Sequence, residues 1–274
     1  MMAQLPVLTQ ELVKRLEQAE TAFWTSRIEA IGSREGNPMG VHTARFGHTS
    51  AVCTEHMPWP LFNTVRGLGS GDVGELGAIL RFYAEYGRSC TFELTPGKAD
   101  KSVTYALARQ GFYQESFHAY MYGLPEPIAP VLPPHIRIEP ITSTDRFDLY
   151  GELHCVGTGM DISAKQHFID NNIVLLNRPG WHMYVGYVND EPAGVSVMHI
   201  DGDIASFTLA ATMPEHRGRG LHTAMLQVRM HEAAKRGCRL VAAQAAFGSV
   251  SQNNMERAGM RLAYTRAVWS ALGE

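Results

Sequence analysis

The densest chemistry in the chain lies in Thr212-Met213-Pro214-Glu215-His216-Arg217-Gly218-Arg219-Gly220-Leu221-His222. Glycines at this spacing let successive backbone N–H groups turn towards one point, and a helix starting there adds roughly half a positive charge. An anion belongs at such a place. Arg217 and Arg219 supplement the amides with side-chain charge, and a pyrophosphate has enough acceptor oxygens to satisfy donors that a helix start leaves without partners. An ordinary capped helix with a glycine turn is the alternative. A second glycine cluster, Gly69-Ser70-Gly71-Asp72-Val73-Gly74, fits the dinucleotide pattern Gly-x-Gly-x-x-Gly. The stretch before it, Pro58 to Thr64, makes a poor strand, and Asp72 would set a carboxylate against the phosphate it should hold.

Other residue types point away from particular chemistries. Twelve histidines invite a metal, but His216 and His222 do not have the separation of a helical ligand pair and no Asp/Glu/His cluster joins them in sequence, so no metal is expected. The four cysteines, Cys53, Cys90, Cys155 and Cys238, are too far apart for a zinc site or a Cys-x-x-Cys couple. They suit free thiols in a reducing cytoplasm. A formal charge of −3 argues against nucleic acid as the main partner. The opening residues lack the basic and apolar blocks of a signal peptide, and the longest uncharged run, Leu240 to Met255, is too polar to cross a bilayer. A soluble, cytoplasmic protein without a membrane partner is expected.

The elements that must position the motif can be read from periodicity. With 274 residues, 45% of them apolar, the chain has room for two modest domains. Five prolines between Pro125 and Pro134 mark residues 125–135 as a linker, which leaves an N-terminal domain at 1–124 and a C-terminal one at 136–274. Before the linker, apolar spacing predicts a helix over 8–31, a hairpin at 41–46 and 49–54, a helix over 72–86 and a strand at 92–94. After it come a strand at 137–139, helices from Asp145 and Ser163, and a meander at 181–188, 194–200 and 204–212. A helix from Leu221 to about Arg236, a strand at 239–246, a helix at 251–258 and a strand at 262–271 complete an α+β pattern. Gly111-Phe112 and Gly259-Met260 precede Ala119 and Ala267 by the same distance, which suggests an internal duplication.

Arg217 and Gly220 match the acyl-CoA signature of the GNAT superfamily of N-acetyltransferases, which the 212–222 stretch and the order of elements after Arg137 resemble. His222 departs from the small residue that closes that signature. The resemblance implies tandem GNAT-like domains, each a mixed, mostly antiparallel central sheet flanked by helices, with acetyl-CoA as co-substrate. Ala210, Ala211 and Thr212 would bond the pantetheine arm as a strand does. The pyrophosphate would lie on the amides of Arg217, Gly218, Arg219, Gly220, Leu221 and His222, and Asn254 would reach the cofactor from the later helix. In many members a tyrosine protonates the departing thiolate at the position that is Met255 here, and Met255 has no proton to give. Ser251, an ordered water, or a thiolate that needs little help are the alternatives; the competing role for Ser251 is helix N-cap. Arg66 to Gly71 repeats the acyl-CoA spacing, so the first half reads as a degenerate copy. The implied activity is acetyl transfer to a primary amine of a small molecule or peptide by direct attack. A non-catalytic CoA-binding sensor and a dinucleotide-dependent oxidoreductase are the other classes, and a homodimer is left open.

Overall fold

The computed structural model describes residues 4–57, 59 and 62–273. Pro58, Pro60 and Leu61, part of the stretch read as a poor strand, lie outside the described residues. The elements in chain order are α1 (Gln10–Gly32), β1 (Val41–Phe46), β2 (Thr49–Thr54), β3 (Thr64–Arg66), a 3-10 turn at Ser70–Glu75, α2 (Leu76–Glu85), β4 (Thr91–Leu94), α3 (Lys101–Arg109) and β5 (Phe112–Gly123). They continue with β6 (Ile136–Pro140), α4 (Phe147–Thr158), α5 (Lys165–Ile173), β7 (Trp181–Val188), β8 (Glu191–Asp201), β9 (Ile204–Thr212), α6 (Leu221–Lys235), β10 (Leu240–Ala246), α7 (Val250–Arg257) and β11 (Arg261–Ala271).

Two compact units emerge. The larger comprises the residues up to Ala30, Met121–Gln244 and Gly248–Leu262; the smaller comprises Ile31–Tyr120, Ala245–Phe247 and the residues from Ala263 on. Strand pairing, not chain order, decides membership. β11 pairs antiparallel with β4, Ala267 facing Leu94 and Trp269 facing Phe92, so the last strand belongs with the first half of the chain. Helix α1 goes the other way and counts with the second half, and the proline-rich 125–135 lies inside the larger unit. The stripe Leu12, Leu16, Ala19, Phe23 and Ile28 of α1 is buried throughout, as its helical spacing requires.

In the smaller unit the strand order is β1-β2-β3-β4-β11-β5, parallel between β3 and β4 and antiparallel at β1-β2, β2-β3 and β4-β11. Ile79, Tyr83, Phe92, Val103, Leu107 and Phe112 form its core. The larger unit orders its strands β10-β9-β8-β7-β6, parallel between β9 and β10 and antiparallel elsewhere. Both are mixed, mostly antiparallel sheets with helices, the α+β class expected. Strands β3 and β5 and helix α3 were not foreseen. Helix α3 is short and buries only Val103 and Leu107, and its start is set by Asp100, whose carboxylate accepts from the amides of Ser102 and Val103 at 2.8 and 3.4 Å. The two halves do repeat a device: α3 and α7 each end at a left-handed glycine, Gly111 (φ +79°) and Gly259 (φ +85°), and a strand follows.

Candidate functional site

The strands of the larger unit part at one place. β9 and β10 pair in parallel from Ile204 opposite Leu240 to Phe207 opposite Ala243, yet β9 runs on to Thr212. A bulge explains the parting. Val197 faces Thr208 and Val195 faces Ala211, so Leu209 and Ala210 together oppose Ser196. Leu209 takes φ +47°, a left-handed conformation that costs a side-chain-bearing residue ~1 kcal/mol or more. The extra residue bends β9 off its neighbour, and Ala210 to Thr212 form a strand edge.

Neighbouring elements hold the bulge in place. From α4 the buried His154 ring stands near the Leu209 backbone; burial, aided by the charge of Arg27, pushes this histidine down to about 3 and keeps it neutral. Further along α4 a Cβ on Gly157 would stand 2.9 Å from the Ala211 Cβ and 3.1 Å from the Thr212 nitrogen, so the close approach of helix to strand needs glycine. From α6 the buried Arg229 donates from Nη1 to the Val197 carbonyl and from Nε to the Met225 carbonyl, both at 3.0 Å. Its guanidinium lies 4.6 Å from the Phe207 ring centre. Burial lowers Arg229 to about 9, so it stays a cation in the core at neutral pH.

Beyond β9 a 3-10 turn at Pro214–His216 leads to Gly220, whose φ of +84° only glycine adopts without strain, and which caps α6 without any side-chain acceptor. The first helical bond is that of the Ala224 amide to the Gly220 carbonyl, at 3.0 Å. The amides before it therefore form an uncapped helix mouth. Helix mouth and strand edge share one cavity of about 640 Å³. Its walls bring together Ala210, Ala211, Thr212, Arg217, Gly218, Gly220, Leu221, His222, Ser251 and Asn254. Arg219 is exposed and outside these walls. Gly157, His216, Thr223 and Val250 line the cavity without having been foreseen; for Gly157 the signal was a glycine inside a helix. The Thr212 hydroxyl is buried there with no protein partner among the described residues. Arg217 is tied locally, with Nη2 donating to the Gly157 carbonyl at 2.8 Å and Nε to the Thr212 carbonyl at 3.3 Å. Another cavity, of about 680 Å³, lies at the far end of α6. There Glu232 is engaged by Lys235 and Arg236.

Residues 152–260 match the model of the acetyltransferase (GNAT) family. This stretch is a GNAT acetyltransferase domain. No curated protein matches the chain by sequence. Among solved structures, a GCN5-related N-acetyltransferase from Kribbella flavida superposes with a TM-score of 0.66 at 14% identity, over 91% of this chain and 96% of that one. A tandem GNAT protein from the clavulanic acid biosynthesis pathway gives 0.62 at 16% identity, over 89% and 87%. A GCN5-related N-acetyltransferase from Sphaerobacter thermophilus gives 0.62 at 15%, over 81% and 79%. The chain thus has the tandem GNAT-like fold.

Within the GNAT domain, α7 settles the alternative role of Ser251. The N-cap is Ser249, whose side chain accepts from the Gln252 amide at 3.2 Å, so Ser251 sits inside the helix. There its Oγ lies 3.5 Å from His222 Nε2. His222 Nδ1 lies 3.3 Å from Asn254 Nδ2, and Arg257 Nη1 donates to Asn254 Oδ1 at 3.0 Å. Burial, with the nearby charge of Arg229, pushes His222 down to about 4. Met255, where many GNAT proteins carry a tyrosine, is buried.

The matching loop of the smaller unit is built differently. Arg66, which opens the repeated acyl-CoA spacing, meets Glu93 at 2.7 Å, and Arg266 meets the same carboxylate at 3.1 Å. Burial alone would raise Glu93; the charges of Arg66, Arg266 and His118 overcome it and hold the carboxyl below its ordinary value. Asp72 accepts from the His48 amide at 2.9 Å and the Thr49 hydroxyl at 3.0 Å. The Arg66 side chain, which an acyl-CoA reading would turn towards phosphate, is engaged internally, and the Asp72 carboxylate occupies the loop.

Proposed function

We propose that the larger unit binds acetyl-CoA and passes the acetyl group to a primary amine of a small molecule or peptide. The observation that carries this reading is a bulged strand edge running straight into an uncapped helix mouth within one cavity. The two halves of that cavity suit the two chemical parts of the coenzyme. Ala210 to Thr212 offer main-chain donors and acceptors to the amides of a pantetheine arm, and the amides from Gly218 to Thr223 offer donors to a diphosphate. Arg217 and Arg219 add charge at the mouth, and Asn254 and the orphaned Thr212 hydroxyl can bond the arm.

The chemistry asked of the chain is mainly positioning. A neutral amine attacks the thioester carbonyl; the C–N bond forms, the C–S bond breaks, and the electron pair leaves on sulfur. The amine proton passes to water at the attack point. A main-chain amide of the β9 edge can polarise the carbonyl oxygen, and the hydroxyl of Ser251 is the donor on the wall that Met255 cannot be. The smaller unit is read as a degenerate copy, kept for packing. Four free, buried cysteines accord with a reducing cytoplasm.

Calorimetric titration with CoA, followed by thiol release from acetyl-CoA over a panel of amines, amino acids, aminoglycosides and peptides, tests the reading. The expected result is CoA binding and release with one amine class. Tight binding without turnover on any amine would replace the enzyme by a CoA sensor. Thermal protection by NAD but not by CoA would point to the oxidoreductase instead.

A further inference from the structure

We propose that Arg257, Asn254, His222 and Ser251 form a one-way chain of hydrogen-bond donors whose last member points the Ser251 O–H at the departing thiolate. The proposal rests on the acetyl-transfer reading and adds to it the chain of side chains that orients the Ser251 hydroxyl.

Each link has a fixed direction. A guanidinium has no acceptor, so Arg257 Nη1 at 3.0 Å must donate to Asn254, which identifies the atom it touches as the carbonyl oxygen. The carboxamide is thereby oriented, and its NH2 faces His222 Nδ1 at 3.3 Å. An NH2 only donates, so Nδ1 carries no proton. A neutral imidazole with a bare Nδ1 holds its proton on Nε2, and burial beside Arg229 keeps this ring neutral. Nε2–H is then directed at Ser251 Oγ, 3.5 Å away. The serine oxygen accepts from the ring, which leaves its own hydrogen for the cavity that Ser251 lines.

A chain of this kind, cationic at its outer end, polarises every bond in one sense and strengthens the final donor. Arg257 is exposed, so the charge sits outside the cavity and acts through the chain. His222 is what connects the helix mouth to α7; a small residue at that position would break the link. In the reaction Ser251 stabilises the negative charge that collects on sulfur as the C–S bond breaks, and no proton need leave the serine. Ser251 is the catalytic residue; His222, Asn254 and Arg257 are positioning residues.

The test begins with the wild-type protein free of ligand: nitrogen-15 histidine spectra should show His222 as the Nε2–H tautomer. An Nδ1–H tautomer reverses the chain and overturns the proposal. Next, the thiol pKa of bound CoA is followed by thiolate absorbance in wild type, Ser251→Ala and Arg257→Gln. It should rise in both variants, more in Ser251→Ala, while kcat falls about tenfold or more in Ser251→Ala and a few-fold in Arg257→Gln at nearly constant KM for acetyl-CoA. An unchanged thiol pKa in Ser251→Ala overturns the proposal. Failure of wild type to bind CoA would instead sink the acetyl-transfer reading, an outcome the tautomer spectrum cannot produce.

Discussion

The parallel strand pairs β9/β10 and β3/β4 stand at the same point of two like-ordered units and differ in whether they stay together. In the larger unit pairing stops at Phe207, a bulge carries Ala210 to Thr212 away, and the following helix starts uncapped. In the smaller unit pairing continues to Arg66 opposite Glu93, and the two side chains bridge the strand ends with help from Arg266. The loop beyond is tied to the β1–β2 turn by Asp72. Both turns start at a glycine without a side-chain cap, Gly220 and Gly69, but in the smaller unit the side chains of Arg66 and Asp72 are taken up by internal partners. The difference lies in where carboxylates stand, and glycine spacing alone does not reveal it.

The largest effect that would sharpen this contrast is the response to acid. His154, His199 and His222, all in the larger unit, are lowered by burial from 6.5 to about 3, 4 and 4. The unfolded chain takes up protons below pH 6.5 and the folded one does not. The stability these residues contribute is complete above 6.5 and drains as pH falls towards 4 and 3. Glu93 contributes above its ordinary 4.5 and holds to lower pH. Hydrogen exchange by segment should therefore show the larger unit loosening first between pH 6.5 and 4.5; earlier loss in the smaller unit would contradict the assignment.

Glu93→Ala comes next. It leaves two guanidiniums in a site where Arg266 is 3% exposed, and should cost about 3–5 kcal/mol in urea unfolding, with CoA affinity in the surviving folded protein nearly unchanged. Smaller again is Arg217→Glu, which should weaken CoA about tenfold by calorimetry, about 1.4 kcal/mol, whereas Arg66→Glu should lower stability and leave affinity alone. Equal losses of affinity in the two variants would erase the distinction between the loops. Smallest are the helix caps. Ser249→Ala in α7 should cost ~1 kcal/mol by thermal unfolding and Asp100→Ala in α3 should lower the melting temperature slightly, and a much larger loss at Ser249 would mean that the cap also supports the Ser251 chain.

Much of this was legible in residue order. The meander, the long helix after Gly220 and the turn at residues 212–222 follow from β-branched runs, periodicity and glycine placement, and these position most of the cavity. Local pattern could not show that Leu209 bulges, because nothing distinguishes it from its strand neighbours; the cause lies in His154 and Arg229, brought there from two helices. The cap of α7 was placed two residues late because Ser249 and Ser251 are equivalent as types, and only the Gln252 amide chooses between them. Asp72 was foreseen as hostile to phosphate, yet its partners at the β1–β2 turn needed the fold. Pairing of β11 with β4 was illegible, since strand partners far apart in sequence leave no local trace.

That pairing has a consequence for how the molecule is made. A ribosome releases residues 31–120 well before it reaches Ala263, so β4 must wait with one side bare until β11 has emerged. The part synthesised early is completed late, and a chain stalled before β11 would present an open, aggregation-prone edge.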